Sequence, residues 1–442
     1  MGVYIRRHWA SLGLLILLIA RFGLAWLAFA NPERFITIDS TEYLRLAESI
    51  RLTGRFKATE YLEEVRTPGY PLFLAVVQAI FGEQIWPIVL IQIIFTMLTA
   101  WLLYRCGNLL VSKRIGLAAA WLYTLNPNAL FWSLTLLTET LFALLLILSF
   151  YTFLMAYKHI RLQWFMLSGL LLGMATITRP IGLYLIPLWT LFILLMLRSK
   201  KDIIVALKPA AAFLGAAMLL VVYWQARNLV LRGHFSLSIT TEVTITRFIA
   251  ADTLAEALRI DRDEARLMIL ETPNPMEYSL QVIRNYPLSF IRVTIRGVTR
   301  TVLGTEVGTW MRVLFDRPYH SSGLLTALVR GDLRSVIEGF SVRMQADEGP
   351  LGLLLLFWGV AYTVALYVFV ALGVIKVLRS DRPGIRWILV FLLVCAAYLI
   401  LIPQANGDAR FRVPAAPLLA LLGGLAWLQY SVESRLYFPR VT

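Results

Sequence analysis

A few short polar stretches hold the residues able to do chemistry in an otherwise apolar chain. The first, Thr37-Ile38-Asp39-Ser40-Thr41-Glu42-Tyr43, is a charged island, and the polar segment it opens runs on to Arg66-Thr67-Pro68-Gly69-Tyr70. Glu139 stands in Leu136-Leu137-Thr138-Glu139-Thr140, Arg179 in Thr178-Arg179-Pro180, and Asp408, Arg410 and Arg412 share one short turn. A carboxylate can take a proton from an attacking hydroxyl. Arginines can balance a phosphate leaving group through paired N–H donors. Acids and arginines converging on one face would serve a transferase with a phosphate-bearing donor. Spacing alone leaves a second reading open. Asp39-Ser40-Thr41-Glu42 also fits a capping box, with Asp39 as N-cap and Glu42 returning at the third helical position. The two readings are compatible, because a cap at a helix mouth stays exposed. Glu42 ranks below Asp39.

The elements that must position these residues are membrane helices. Of 442 residues, 59% are hydrophobic and only 16% charged. Soluble domains run nearer half apolar and a quarter charged, so the composition indicates an all-α polytopic membrane protein. The net charge of +15 is then loop charge that orients helices, with contact to anionic lipid second, and nucleic acid is excluded as a partner. Cys106 and Cys395 lie in apolar segments without C-x-x-C spacing, and the four histidines are scattered. A disulfide framework, a thiolate metal site and an H-E-x-x-H site are therefore not expected. The N-terminal run from Trp9 to Ala30 is too long for a signal-peptide core and carries Arg21, so it reads as a retained helix.

Spans of about 20 apolar residues are expected near Trp9–Phe29, Ile85–Cys106, Ile115–Phe131, Leu134–Tyr157, Gln163–Thr178, Ile181–Leu197, Leu207–Ala226, Leu351–Val377, Arg386–Pro403 and Val413–Tyr430. Pro71–Phe81 is too short and reads as a partly buried or re-entrant segment. Alternate loops are basic, from Arg6-Arg7 to Arg435 and Arg440, which places both termini in the cytoplasm. The candidate residues then fall outside. Two large segments lie there: the first outer loop, 30–70, and a second over 229–350 that contains arginine but no lysine. Three regions follow: 1–228, 229–350 and 351–442. Within the second loop, Tyr286–Leu303 reads as an interfacial helix with Arg292, Arg296 and Arg300 on one face. Thr253–Glu271 reads as a further helix, and Trp86, Trp132, Trp189, Trp224 and Trp310 as interfacial belt residues.

Five motifs in order resemble the bacterial GT-C glycosyltransferases. They are Ile38-Asp39-x-x-x-Tyr43, Arg66-Thr67-Pro68-Gly69-Tyr70-Pro71-Leu72-Phe73, Asn126-Pro127, Thr138-Glu139-Thr140-Leu141-Phe142 and Thr178-Arg179-Pro180. Arg410-Phe411-Arg412-Val413-Pro414 resembles the last outer turn of the same group, which is related to protein O-mannosyltransferases and lipid A aminoarabinose transferases. The resemblance implies a GT-C bundle of about ten transmembrane helices with a helical extracytoplasmic loop region. It implies an inverting transferase in the plasma (inner) membrane, with an extracytoplasmic active site. That enzyme moves a sugar from a polyprenyl-phosphate donor to a lipid, glycan or protein acceptor. Asp39 would be the catalytic base, or the ligand of a divalent cation if one takes part. Arg66, Arg410 and Arg412 would lie near the donor phosphate, with Glu42, Tyr43, Tyr70, Glu139 and Arg179 as further site candidates. Where protein O-mannosyltransferases carry an acidic pair, this chain has Asp39-Ser40. A transporter or flippase of lipid-linked sugars is the alternative, but such folds show repeated halves, and no internal repeat stands out.

Overall fold

A computed structural model describes residues 12–197, 204–316, 349–380 and 383–429, together with Asp332, Arg334 and Glu338. All regular structure among these residues is helical. In chain order the helices are α1 (Leu12–Ala30), α2 (Ile38–Thr53), α3 (Glu60–Val65), α4 (Gly69–Phe81), α5 (Trp86–Leu110), α6 (Lys113–Thr124), α7 (Pro127–Trp132), α8 (Glu139–His159), α9 (Leu162–Thr178) and α10 (Leu185–Leu197). There follow α11 (Ile204–Arg232), a five-residue helical turn (Thr240–Thr244), α12 (Ala251–Leu258), α13 (Arg262–Leu270), α14 (Pro275–Asn285), α15 (Pro287–Leu303), α16 (Val307–Phe315), α17 (Gly349–Leu378), α18 (Pro383–Leu401) and α19 (Ala416–Gly424).

Among the described residues, 8 helices are long and apolar enough to cross a membrane, and the chain is a multi-pass membrane protein. One expected span differs. The run 115–131 is broken, because the Asn126 side chain accepts from the Ala129 amide at 3.2 Å and Pro127 restarts the chain as α7. The segment 163–178 is α9, an apolar helix of 17 residues, at the short end of the length a crossing needs. It packs directly on α11, since a Cβ at Gly169 or Gly173 would collide with the carbonyl oxygens of Phe213 and Ala217. Two backbones approach this closely only where side chains are absent. The 13 residues of α4 reach about 20 Å against a hydrocarbon core of about 30 Å, so α4 does not cross.

The main core lies where Phe150, Phe153, Trp189, Phe192 and Phe391 stack between α8, α10 and α18. Four of the five tryptophans expected at the interface are instead buried: Trp132, Trp189, Trp224 and Trp310. Their large faces fill the bundle or lie under arginines. Outside the spans, the single helix expected over 253–271 is two, α12 and α13. Arg259 takes a left-handed conformation (φ 57°), and the Asp261 carboxylate then accepts from the Asp263 amide at 2.8 Å to start the next helix. Cys106 and Cys395 are buried free thiols.

Replacing Gly173 by leucine should push α9 off α11 and destabilise the bundle by about 1–3 kcal/mol, the usual cost of overpacking. The check is the temperature at which the detergent-solubilised protein loses its monodisperse peak. An unchanged temperature would mean the two helices have room to part.

Candidate active site

The site is built on the N-terminal turn of α2. Thr37, not Asp39, caps this helix. Its hydroxyl accepts from the Ser40 amide at 3.2 Å, and the Ser40 hydroxyl accepts from the Thr37 amide at 2.9 Å. The capping box is therefore two residues earlier than spacing suggested. Hydroxyls satisfy the helix end, and Asp39 and Glu42 are left free. Asp39, Glu42 and Tyr43 stand at i, i+3 and i+4 on one face, and Arg66 meets all three. Its guanidinium donates to Asp39 Oδ1 at 2.7 Å, to Glu42 Oε2 at 2.6 Å and to the Tyr43 hydroxyl at 3.1 Å. It also lies over the Tyr43 ring, 4.8 Å from the centroid.

Asp39 Oδ2 accepts from Arg410 at 2.9 Å. Arg410 in turn pairs with Glu139, the first residue of α8, and Glu139 pairs with Arg179 at 2.6 Å. Glu139 is fully buried. The result is a line of alternating charge: Glu42, Arg66, Asp39, Arg410, Glu139, Arg179. Three elements far apart in sequence close it. Arg66 follows α3, Arg179 ends α9, and Arg410 lies in a 3₁₀ turn over Ala409–Ala415. Aromatic rings back the arginines, with Trp132 below Arg410 at 5.5 Å and Phe411 near Arg179 at 5.7 Å.

Burial by itself would raise the Asp39 carboxyl, but Arg410 and Arg66 outweigh it and hold Asp39 at about 2. Burial acts to lower Arg66, and Tyr43, Asp39 and Glu42 more than offset it, so Arg66 is raised and stays a cation. Tyr70 does not touch Asp39. It packs edge-on against Tyr43 at 5.1 Å and donates its hydroxyl to Gln92 at 2.7 Å. Gln92, fully buried on α5, donates to the carbonyls of Ser133 and Thr135 at 2.9 and 2.8 Å. Sequence reasoning missed Gln92; its one signal was an amide within an apolar span.

Arg412 is not part of this line. It is buried, and it donates to the carbonyl oxygens of Val302 and Gly304 and to the Thr363 hydroxyl. It ties the end of α15 to α17. Glu306 was also missed. Burial first, and the nearby Asp408 second, raise its carboxyl above the usual range, while Asp408 is itself raised by burial. Asp408 accepts from the Arg410 amide at 2.7 Å, so these acids border the line at Arg410. A cation at Asp39 does not fit. Both of its oxygens already face guanidiniums, and among the described residues no group of three or more His, Cys, Asp or Glu side chains could hold a metal.

A cavity of ≈ 810 Å³ lies against the C-terminal end of α2. Pro68 and Ile177 form part of its wall, each two residues from a member of the line, Arg66 or Arg179. Its apolar wall includes Ile50, Leu72 and Leu220, and its cations are Arg55, Lys57, Arg227 and Arg232. Arg227 and Arg232 pair with Glu63, and Arg227 lies 4.7 Å from the Trp224 ring centroid. Arg55 and Lys57 are exposed and form no ion pair among the described residues.

The family described as dolichyl-phosphate-mannose-protein mannosyltransferase matches residues 65–224, less than half of the chain. No curated protein sequence matches. Among solved structures, the apo form of the Archaeoglobus fulgidus oligosaccharyltransferase aligns with a TM-score of 0.51 at 15% identity, covering 96% of this chain and 50% of that one. The archaeal oligosaccharyltransferase AglB from the same organism, in complex with an inhibitory peptide and a dolichol-phosphate, aligns with a TM-score of 0.49 at 14% identity over 96% and 50%. ArnT from Cupriavidus metallidurans, bound to undecaprenyl phosphate, aligns with a TM-score of 0.43 at 13% identity over 94% and 77%. The likeness to the apo oligosaccharyltransferase gives the fold, which is that of the GT-C glycosyltransferases. The chain spans half the length of that protein.

Removing one charge from the middle of the line should be costly. Glu139→Gln leaves Arg179 and Arg410 without their shared carboxylate, and breaking a buried pair this way costs about 3–5 kcal/mol. Thermal stability in detergent is the measurement. A shift no larger than that of an exposed control such as Glu83→Gln would show that the two arginines find other partners.

Proposed function

We propose that the protein is a glycosyltransferase that moves a sugar from a polyprenyl-phosphate carrier to a hydroxyl-bearing acceptor. The observation that carries this reading is Asp39, held ionised between Arg66 at 2.7 Å and Arg410 at 2.9 Å. The GT-C fold and the matched mannosyltransferase family support the same donor class. The alternation of basic loops supports an extracytoplasmic site, with the N- and C-termini in the cytoplasm.

In the reaction, the acceptor oxygen attacks the anomeric carbon and the carbon–phosphate oxygen bond breaks on the opposite side, which inverts the centre. The donor is a phosphodiester with one negative charge, and the departing polyprenyl phosphate gains a second. Transition-state stabilisation therefore calls for cations not already neutralised. Arg66 and Arg410 each serve two carboxylates, so their work is to fix Asp39. Arg55 and Lys57 take the phosphate, while the polyprenyl chain follows the apolar wall. A carboxylate has about four lone-pair sites, and the two arginines occupy two of those on Asp39. Asp39 can still accept the acceptor O–H and orient it for attack. With its pKa held so low it does not keep the proton, which passes on to the departing phosphate, whose second pKa is about 6. The sugar and the acceptor class, whether lipid, glycan or protein, are set by surfaces beyond these residues.

Asp39→Asn should lower kcat on the order of 10²–10⁴-fold, the range for a lost acid–base group. The assay is transfer of radiolabelled sugar from a polyprenyl-phosphate donor by the purified, reconstituted protein. Full activity in a folded variant would remove Asp39 from the mechanism. Lys57→Ala should instead raise KM for the donor roughly tenfold or more, since a hydrogen bond to a charged group is worth about 1.5–3 kcal/mol. An unchanged KM would move the phosphate elsewhere. Because Asp39 titrates near 2, it is ionised across the working range. Activity should show no loss between pH 5 and 7 that disappears in Asp39→Glu; a limb that did so would contradict the assignment.

A further inference from the structure

Helix α15 is amphipathic in an inverted sense. One face, Val293, Gly297 and Thr301, is buried, and the opposite face carries Leu288, Ile291 and Ile295, which are 69%, 50% and 57% exposed. Bare aliphatic side chains at i, i+3 and i+7 make a continuous apolar stripe. Arg292 stands beside the stripe, exposed. In water such a stripe would be unfavourable by roughly 1.5–3 kcal/mol for each large side chain.

The depth of the helix says what covers it. Its C-terminal end is fastened to α17: the Tyr367 hydroxyl donates to the Val302 carbonyl at 3.1 Å, and Arg412 joins the Gly304 carbonyl to the Thr363 hydroxyl. The apolar stretch of α17 begins at Pro350 and runs 29 residues. At 1.5 Å per residue it is about 44 Å long, roughly 14 Å more than the hydrocarbon core. Thr363 lies about 20 Å from the Pro350 end by the same rise. Even if all the excess projected on that side, Thr363 would still be within the hydrocarbon. The end of α15 that it holds is therefore at membrane depth.

We infer that α15 is seated in the bilayer boundary, with Leu288, Ile291 and Ile295 among acyl chains and Arg292 at the headgroup phosphates. The occupant of this face is phospholipid rather than another protein. The seat bears on the site. The helix backbone at Gly297 meets the turn that carries Gly407 so closely that a Cβ on either glycine would collide with the other strand of backbone. Asp408 and Arg410 follow directly in the chain, Asp408 capping the next turn. Lipid on one face of α15 thus supports the segment that holds Arg410 on the other.

The test is lipid quenching on the full chain in vesicles. Single cysteines replacing Ile291 or Ile295 carry an environment-sensitive fluorophore, and the native Cys106 and Cys395 are buried. The vesicles contain phosphatidylglycerol and phosphatidylcholine with or without brominated acyl chains. Labels at both positions should be quenched about as strongly as one at Ile94, on the exposed face of the spanning helix α5, and far more than one at the exposed Asp263. Quenching at 291 and 295 no greater than at 263 would overturn the inference. So would a label shielded from brominated lipid that becomes exposed on dilution, which would assign the face to a second copy. A variant that fails to incorporate is replaced by a label at Leu288, read against the same two controls.

Discussion

The structure depends on one carboxylate shared by two arginines. Asp39 and Arg410 are 371 residues apart in sequence, and their contact closes the first polar segment onto the last one. Around it, acids and arginines alternate from Glu42 to Arg179, three of each, so the line is neutral as a whole. In a water-poor setting an isolated charge is expensive, and a chain of opposite charges is the way to retain several. The same arrangement explains the division of labour among arginines. Those in the line are consumed in holding acids. In the cavity, Arg227 and Arg232 pair with Glu63, and Arg55 forms no ion pair among the described residues.

Much of this was legible in the sequence. Long apolar runs fixed most of the spans, because a lipid-facing helix needs uninterrupted hydrophobic length. Asp39, Glu42, Tyr43, Arg66, Glu139, Arg179 and Arg410 stood out as polar residues at helix ends, and the fold brings all of them together. Tyr70 joins through Tyr43. What the sequence did not disclose has specific causes. The Thr37–Ser40 cap beat the Asp39–Glu42 alternative because two hydroxyls close a capping box as well as two acids, and Arg66 competes for the acids. The break at Asn126 is local side-chain-to-amide bonding, which overrides apolar patterning.

Arg412 shows the limit of reading charge by position. It shares a turn with Arg410 and differs by two residues, yet it points into the bundle and bonds carbonyl oxygens at the end of α15. Composition cannot tell an arginine that serves a phosphate from one that serves a frayed helix end, since both need N–H donors in a fork. The tryptophans fail for a related reason. A ring suited to a membrane interface is equally suited to lie beneath a guanidinium, as Trp132 and Trp224 do. Gln92 went unnoticed because it is a single polar residue whose partners, Tyr70, Ser133 and Thr135, are distant in sequence.

The central claim is that Asp39 stays ionised because Arg66 and Arg410 flank it. The direct measurement is isotope-edited difference infrared spectroscopy of the wild type against Asp39→Asn, following the carboxylate stretch as pH falls. The account requires the ionised band to persist well below the ordinary aspartate value of about 3.9, and to shift upward in pH when Arg410 is replaced by glutamine. A carboxylate that protonates at or above that ordinary value, with no response to loss of Arg410, would contradict it.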